Sequence, residues 1–248
     1  MKRTRQRVIK KAIWEVRYDT RLSFYDRAGS LLQEFLDWED RRFFARWTYG
    51  PDEFGLENAG TATHFAVGPK RAAASTENLL PLGGYGPFCG RVKEFLSKVT
   101  HGLGVPALTR VGQRLQYLID ARQDFQAFAA ALTGQLTRLG DYQDIDACRA
   151  EDMTLTWISK HDDPAMSMRW VVGPLRLDEF PRWFSLSSPA EGGPSDERQF
   201  YPGVSLLVDV DASRKGRIAT DDMLGFFEPA FTYVDQRVAE LAQRLRES

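Results

Sequence analysis

The chain has 248 residues, of which 43% are hydrophobic and 27% charged, and these ordinary globular values exclude a disordered or fibrous protein. Its 33 Lys and Arg residues nearly cancel its 34 Asp and Glu residues, so no global field attracts a polyanion and a nucleic-acid contact would require a local patch. The two cysteines, Cys89 and Cys148, are too few for a disulfide framework or a four-thiolate zinc site.

The first half of the chain predicts a strand, a helix, three short strands and a second helix. The segment from Val8 to Tyr18 is rich in β-branched and aromatic residues, which indicates the first strand. Apolar residues recur at three- and four-residue spacing from Leu22 to Leu36, which predicts a helix with Ser23 as its N-cap. Three strands, a loop and a helix that begins at a proline follow, over Phe43–Tyr49, Glu53–Glu57, Thr61–Val67, Lys70–Gly86 and Pro87–His101.

The second half predicts the same order of elements. A strand over Leu108–Ile119 precedes a helix over Asp124–Leu139, whose apolar residues share one face. Three more strands and a long helix follow, over Ile145–Lys160, Met166–Leu177, Val204–Val210 and Thr220–Arg246. Pro229 predicts a kink in this last helix or its true start. The Ser-, Pro- and Gly-rich segment Ser185–Pro202 predicts an exposed loop inserted in the second half.

A short motif recurs in both halves, at the point where a strand passes into a helix. Asp19-Thr-Arg21-Leu-Ser-Phe24 reappears as Asp120-Ala-Arg122-Gln-Asp-Phe125. Together with the agreement in element order, it predicts an α+β fold in which 1–248 form one domain of two tandem pseudo-repeats, 7–105 and 106–246. We expect a mainly antiparallel sheet packed by helices, with the functional surface where the halves meet.

No motif in the sequence indicates catalysis, a cofactor or a metal centre. His64, His101 and His161 have no second histidine at metal-ligand spacing, and His161-Asp-Asp163 before Pro164 is typical of a turn. Asp209 and Asp211 share one face of a strand and could hold Mg²⁺ or Ca²⁺, but a calcium loop would need a later glutamate that is missing. The pattern therefore favours a solvent-facing strand end. We predict a protein without cofactor, metal site or enzymatic activity.

The glycines from Gly83 to Gly90 lie just before a predicted helix, where free amides could bind an anion. They lack the Gly-Lys-Ser/Thr ending of a P-loop and the spacing of a dinucleotide fingerprint. The segment therefore favours turn glycines in front of a proline-started helix.

The start of the chain is basic and suggests one alternative function. No acidic residue precedes Glu15, and the cations of this arm are Lys2, Arg3, Arg5, Arg7, Lys10 and Lys11. A duplicated α+β protein could present a concave sheet and this arm to nucleic acid. The near-neutral charge of the whole chain favours protein contacts over phosphate contacts.

The last helix carries the most regular periodicity of the chain. Apolar residues alternate spacings of four and three, which is the pattern of a seam packed on another helix or on a sheet. This seam closes the protein's own sheet or contacts a partner, in which case the candidate partner-binding residues are Phe231, Val234, Val238, Leu241 and Leu245. A homodimer through the same face is an open alternative.

Several segments together resemble a known group of proteins. They are Glu15-Val-Arg-Tyr-Asp19, Thr109-Arg-Val-Gly-Gln-Arg-Leu-Gln-Tyr117, Val208-Asp-Val-Asp211 and the closing amphipathic helix. The pattern resembles a sporadically distributed, functionally uncharacterised bacterial family of about this length, often encoded in mobile or defence-associated gene neighbourhoods. The family's Arg-Val/Ile-Gly-x-Arg-Tyr pattern departs here at Leu115. The resemblance implies an accessory role in such a system and no catalytic residues.

Three functions remain open from the sequence. The first is a non-enzymatic scaffold that binds a protein partner, which a neighbouring gene could encode, through a sheet face, the 185–202 loop or the last helix. The second is the nucleic-acid binder described above. The third is a small-molecule pocket lined by Arg110, Arg114 and Tyr117, although strand alternation puts Tyr117 on the face opposite the two arginines. We expect a cytoplasmic protein without a membrane partner, because no segment has the length and apolarity of a spanning helix.

Overall fold

The computed structural model describes residues 7–38, 43–120, 154–163, 165–176, 179, 183–184 and 204–247. Within them the fold is α+β, as predicted. The strands are β1 Arg7–Tyr18, β2 Arg46–Tyr49, β3 Phe54–Asn58, β4 Thr63–Val67, β5 Arg71–Thr76, β6 Leu108–Asp120, β7 Leu155–Asp162, β8 Ala165–Arg176 and β9 Val204–Ile218. The helices are α1 Ser23–Leu36, α2 Tyr85–Gly102, α3 Thr220–Leu224 and α4 Phe227–Glu247, with a 3₁₀ turn at Leu80–Leu82.

All nine described strands belong to one sheet, in the order β2-β3-β4-β5-β1-β6-β9-β8-β7. Every neighbouring pair is antiparallel. The long strands β1 and β6 lie side by side in the middle, so elements from both halves of the chain build a single layer. The alternation of side chains along these strands therefore decides what lies above and below the whole sheet.

The helices pack on one face of this sheet, which we call the helix face. In β1 the buried residues Ala12, Trp14, Val16 and Tyr18 alternate with more exposed ones. The Trp14 ring lies 5.5 Å from the ring of Phe88 in α2, measured between centroids. Because every second residue of β1 points to the helices, the intervening residues point to the other side.

An aromatic layer joins α1 and α2 to the first half of the sheet. The Phe95 ring centroid lies 4.4 Å from that of Phe65 in β4 and 5.0 Å from that of Phe35 in α1. Phe24 of α1 stacks on Phe54 of β3 with centroids 6.4 Å apart. These tilted and stacked pairs bury large apolar areas and fix both helices on the helix face.

The last helix covers the second half of the sheet. Phe227, Val234 and Val238 are fully buried, and α4 contacts β6 and β9. The predicted helix from Thr220 is divided into α3 and α4, and α4 begins at Phe227, so that Pro229 lies in its first turn. A proline in the first turn removes no intrahelical hydrogen bond, which explains why the helix starts there.

Three predictions for the first half were wrong. The segment Lys70–Gly86 contains β5 over Arg71–Thr76, because Ala72, Ala74 and Thr76 alternate towards the core, although alanine is a poor strand former. The second helix begins at Tyr85 and not at Pro87. Ser23 is the first residue of α1 and not its cap, since its hydroxyl donates to the carbonyl oxygen of Leu103 at 2.8 Å.

The second-half predictions agree with the structure only in part where the structure describes them. β7 and β8 lie within or close to the predicted strands, whereas β9 extends to Ile218, well beyond the predicted end at Val210. The helix predicted over Asp124–Leu139, the start of the strand predicted from Ile145 and the loop Ser185–Pro202 lie outside the described residues. None of the described helices combines the length and apolarity needed to cross a bilayer.

Truncation of a seam residue tests the packing of α4. Val238→Ala removes buried methyl groups against the sheet, and we expect it to lower the free energy of unfolding by on the order of 2 kcal/mol. Gln236→Ala, on the exposed side of the same helix, should change it by less than about 0.5 kcal/mol. Urea unfolding followed by circular dichroism measures both, and equal effects would contradict the packing described here.

Candidate functional site: the open face of the sheet

The face opposite the helices, here called the open face, carries the charged residues of the central strands. No described helix packs on it. Glu15 of β1, Arg110 and Arg114 of β6, and Asp209 and Asp211 of β9 all project from this side, because their neighbours in each strand are buried on the helix face. The alternation thus gathers on one surface charges that are about a hundred residues apart in the chain.

A ladder of ion pairs crosses the three central strands. Arg17 Nε and Arg110 Nη1 both donate to Glu15 Oε1 at 2.7 Å, and Arg110 Nη2 donates to Asp211 Oδ1 at 2.7 Å. The Arg110 guanidinium lies over Gly112, where an added Cβ would approach it to 2.8 Å. Glycine at this position therefore leaves room for the arginine to lie flat on the sheet between its two carboxylates.

A second, more buried pair lies further along the same strands. Arg114 Nε donates to Asp209 Oδ1 at 2.8 Å, Arg114 Nη2 also donates to this carboxylate, and Gln116 Nε2 donates to Asp209 Oδ2 at 3.1 Å. The Asp209 side chain is 3% exposed and that of Arg114 is 43% exposed. The hydrogen bonds to Asp209 raise the pKa of Arg114, and burial acts in the opposite direction. Asp209 is therefore a buried carboxylate, and its ion pair with Arg114 offsets the free-energy cost of burying its charge.

Cations exceed acids on this surface. Arg71, Arg17, Arg110 and Lys215 are direct cross-strand neighbours on β5, β1, β6 and β9. Like charges placed opposite each other destabilise a sheet, so the carboxylates between them are needed for balance. The exposed open-face cations Lys160, Arg169 and Lys215 form no ion pair with any other described residue, whereas Arg214 lies opposite the buried Val111 and therefore points to the helix side. The β7–β8–β9 end of the sheet is therefore basic, although the whole chain has a net charge of −1.

The other end of the open face is apolar. Leu118, Leu175 and Leu207 form a second buried cluster with Phe184, and Val8 packs against it. Phe184 comes from the segment after β8, so the chain itself covers this end of the face. The polar surface is consequently bounded on one side by a small core.

The described part of the basic arm is neutralised within the protein. Arg7 Nη2 pairs with Asp235 Oδ2 of α4 at 2.7 Å, and Lys11 Nζ pairs with the buried Glu77 at 2.9 Å. Lys10 lines a cavity on the helix side and has interactions of its own. Lys2, Arg3 and Arg5 lie outside the described residues. The described part of the arm lies at the end of β1 opposite Arg17, away from the row that Arg17 forms with Arg71, Arg110 and Lys215.

The predicted partner seam lies in the core of this protein. Val234 and Val238 are fully buried, and Phe231 and Leu241 are partly buried against the same core. The side chain of Leu245 lies outside the described part. A partner could reach the seam only if α4 left the sheet, and the structure favours the alternative in which the seam closes the protein's own sheet.

Tyr117 lies on the opposite face from Arg110 and Arg114, as strand alternation predicts. It is fully buried, and it lines a helix-side cavity of about 290 Å³ with Tyr85 and Asp235. Its hydroxyl has no hydrogen-bond partner among the described residues, and burial, followed by the nearby Asp235, raises its pKa. The three residues suggested for one small-molecule pocket are thus divided between two sites.

Several residues considered for chemistry have structural roles. Asp209 and Asp211 lie in the middle of β9 and are paired with arginines, so the prediction of a solvent-facing strand end was wrong. Gly83 and Gly84 adopt positive φ values of 81° and 89° just before α2, as turn glycines do, whereas Gly86 and Gly90 lie inside α2, so the prediction of turn glycines was wrong for these two. His161 lies near the end of β7, and the chain turns there into β8. Within the described residues, no three His, Cys, Asp or Glu side chains gather as a metal site.

Comparison with known proteins adds no relationship. No family model matches the sequence, and no curated protein matches it. The function must therefore be argued from the geometry of the described residues.

The sequence did not reveal the residues at the basic end of the open face. Lys160, Ser167, Ser213 and Gly112 are aligned across four neighbouring strands, yet each is unremarkable in its own segment. Only the alternation in Arg110-x-Gly112-x-Arg114 and in Asp209-x-Asp211 signals two strands with charged faces. Their pairing follows from the β6–β9 register, which no local pattern contains.

The dependence of Asp209 on Arg114 can be measured. Arg114→Leu leaves the Asp209 carboxylate with Gln116 as its remaining described donor, so we expect a loss of about 1–3 kcal/mol in the free energy of unfolding. Adding Asp209→Asn should recover part of this loss, because no buried charge then remains. Arg17→Leu removes an exposed cation and serves as the matched control, with an expected cost below about 1 kcal/mol. A double variant as unstable as Arg114→Leu alone would contradict this dependence.

Proposed function

We propose that this protein is a non-enzymatic interaction protein that binds an acidic surface of a partner protein through the open face of its sheet. The observation that carries the proposal is the excess of exposed cations, without an ion pair to any described residue, on a face that no described helix covers. Charge complementarity of this kind steers encounter and selects partners. Since the α4 seam is used internally, the open face is the surface to which we assign such a partner.

Several small side chains on the open face allow close contact with another protein. Ala66, Ala73 and Ser75 lie on the first half of this face, and Gly112 and Ser213 lie on the second. Small side chains allow a partner to approach the sheet closely. Ile158 of β7 is 70% exposed and lies directly opposite Arg169 of β8. An exposed apolar side chain therefore lies next to an exposed cation. An apolar centre with charged neighbours is the usual composition of a specific protein contact.

Nucleic acid is the second candidate ligand, and the residue composition of the open face disfavours it. Proteins that hold single strands combine a basic groove with aromatic side chains on which bases stack. Strand alternation leaves no Phe, Tyr or Trp of the nine described strands on the open face. The cations could still contact phosphates, so nucleic acid remains an outcome that the experiment must distinguish.

We propose, further, that the two halves are diverged copies of one unit. β1 and β6 lie side by side, β5 is the outer neighbour of β1, and β9 is the outer neighbour of β6. In each half a helix, α2 or α4, follows that outer strand. This arrangement supports the proposal, whereas the second copy of the D-x-R-x-x-F motif lies almost wholly outside the described residues. The surface shared by the halves then includes the ion-pair ladder between β1, β6 and β9.

The resemblance noted in the sequence supplies the proposed setting. We propose that the protein works in the cytoplasm as an accessory component of a bacterial defence or mobile-element system. Its partner is then expected to be encoded by an adjacent gene. This setting decides which proteins are tested first.

Co-expression with the products of adjacent genes tests the proposed function. Size-exclusion chromatography with light scattering should show a stable complex for the wild-type protein. The double variant Ile158→Glu, Arg169→Glu should weaken it at least about tenfold, because it places two carboxylates against an acidic partner. Arg91→Glu is the control, since it reverses an exposed cation of α2 on the helix side.

Two results would contradict the proposal. One is a monomer that forms no complex with any of these proteins. The other is binding of single- or double-stranded DNA at low salt, measured by fluorescence anisotropy, that the open-face variant abolishes and Arg91→Glu does not. The latter result would identify the open face as a nucleic-acid interface.

A further inference from the structure

A cleft opens where β8 and β9 separate. Their last paired residues at this end are Ser167 and Ser213. Beyond that pair β9 continues beside β6 alone, with Lys215 opposite Arg110, while the β7–β8 hairpin projects away. The cleft between the hairpin and β9 has a volume of about 370 Å³.

The cleft is lined by cations and hydroxyl groups from three strands. Lys160 lies on the hairpin side, Arg214 and Lys215 lie on the β9 side, and the two serines lie where the strands meet. None of these three cations forms an ion pair with a described residue. Asp162 is the one carboxylate among the lining residues, so the positive charges outnumber the negative charge even with His161 neutral.

Ser213 is the deepest polar group of the cleft. The residue is 7% exposed, and its hydroxyl forms no hydrogen bond with any described residue. This hydroxyl is therefore available to donate a hydrogen bond to a ligand that enters the cleft. Ser213 lies beneath Lys160 and Lys215. One bound anion can therefore accept a hydrogen bond from the Ser213 hydroxyl and form ion pairs with both lysines.

The spacing of these groups suits one small oxyanion. Directly opposite residues of antiparallel strands have Cα atoms about 5 Å apart, and residues two positions along a strand are about 7 Å apart. Lys160, Ser167 and Ser213 are consecutive neighbours across β7, β8 and β9, and Lys215 lies two positions beyond Ser213. The flexible lysine side chains span these distances, so their ammonium groups can meet at an oxyanion above the serine hydroxyls.

We infer that this cleft binds the phosphoryl dianion of a phosphorylated side chain. The lining holds three cations and one carboxylate, with Lys160 and Lys215 on the open face and Arg214 on the opposite side of β9, and this excess of positive charge favours a dianion over a singly charged carboxylate. The terminal oxygens of a phosphoryl group point in different directions and accept hydrogen bonds from donors on both sides of the cleft, as charge-assisted phosphate contacts do. Assignment of the group to a protein rests on the proposed function, whereas phosphate binding itself does not.

The test uses inorganic phosphate, O-phosphoserine and adenosine 5′-monophosphate at constant ionic strength. Two-dimensional NMR of the full chain should show saturable shifts at Ser167 and Ser213 with millimolar dissociation constants for phosphate and for O-phosphoserine. Lys215→Ala and Ser213→Ala should each weaken phosphate binding about five- to tenfold, the loss of one strong hydrogen bond. Lys70→Ala is the matched control, because Lys70 is an exposed cation in the β4–β5 turn.

Each alternative result has a defined meaning. Absence of saturable shifts, or equal weakening by Lys70→Ala and Lys215→Ala, would overturn the cleft as a phosphate site. Tighter binding of the nucleotide than of O-phosphoserine would overturn its assignment to a protein ligand. Ile158 and Arg169 do not line the cleft. A complex that fails to form while phosphate still binds would therefore count against the proposed function alone.

Discussion

The register between β1, β6 and β9 is the constraint on which both faces of the sheet depend. Trp14 lies opposite Gln113, and Arg114 lies opposite Asp211, so one register gives a continuous core on the helix face and a continuous array of charges on the open face. A shift of one residue would turn each set to the wrong side. The same alternation that buries Trp14 beneath α2 therefore brings Glu15, Arg110 and Asp211 together.

The charged residues of the open face have two different roles. In the middle of the sheet, the arginines are matched with carboxylates, and the Gly112 floor lets Arg110 lie between two of them. Such pairs contribute little net stability at a surface but prevent the repulsion of aligned cations. Towards β7 and β8 this compensation ends, and Lys160 and Arg169 are without acidic partners among the described residues. These cations gain no ion pair within the described residues, and the proposed binding of an anionic group would supply one.

The fold was largely accessible from the sequence, because long periodic segments determine most of its elements. The β-branched run of β1 and the three- and four-residue spacing of α1 and α4 predicted those elements well. β5 was missed because its alanines indicate a strand only weakly, and their burial under α2 depends on tertiary packing. The cross-strand neighbours of the site were inaccessible, since Arg110 meets Asp211 only through the β6–β9 register.

Both proposed binding surfaces require that the basic end of the open face is exposed to solvent in the whole protein. Acetylation of the folded chain by a limiting amount of an N-hydroxysuccinimide ester, followed by digestion and mass spectrometry of the peptides, tests it directly. Lys160 and Lys215 should react at rates close to that of Lys70 in its exposed turn, and faster than Lys11, whose amine is paired with the buried Glu77. Rates for Lys160 and Lys215 as low as that of Lys11 would show that the face is covered and would contradict the account.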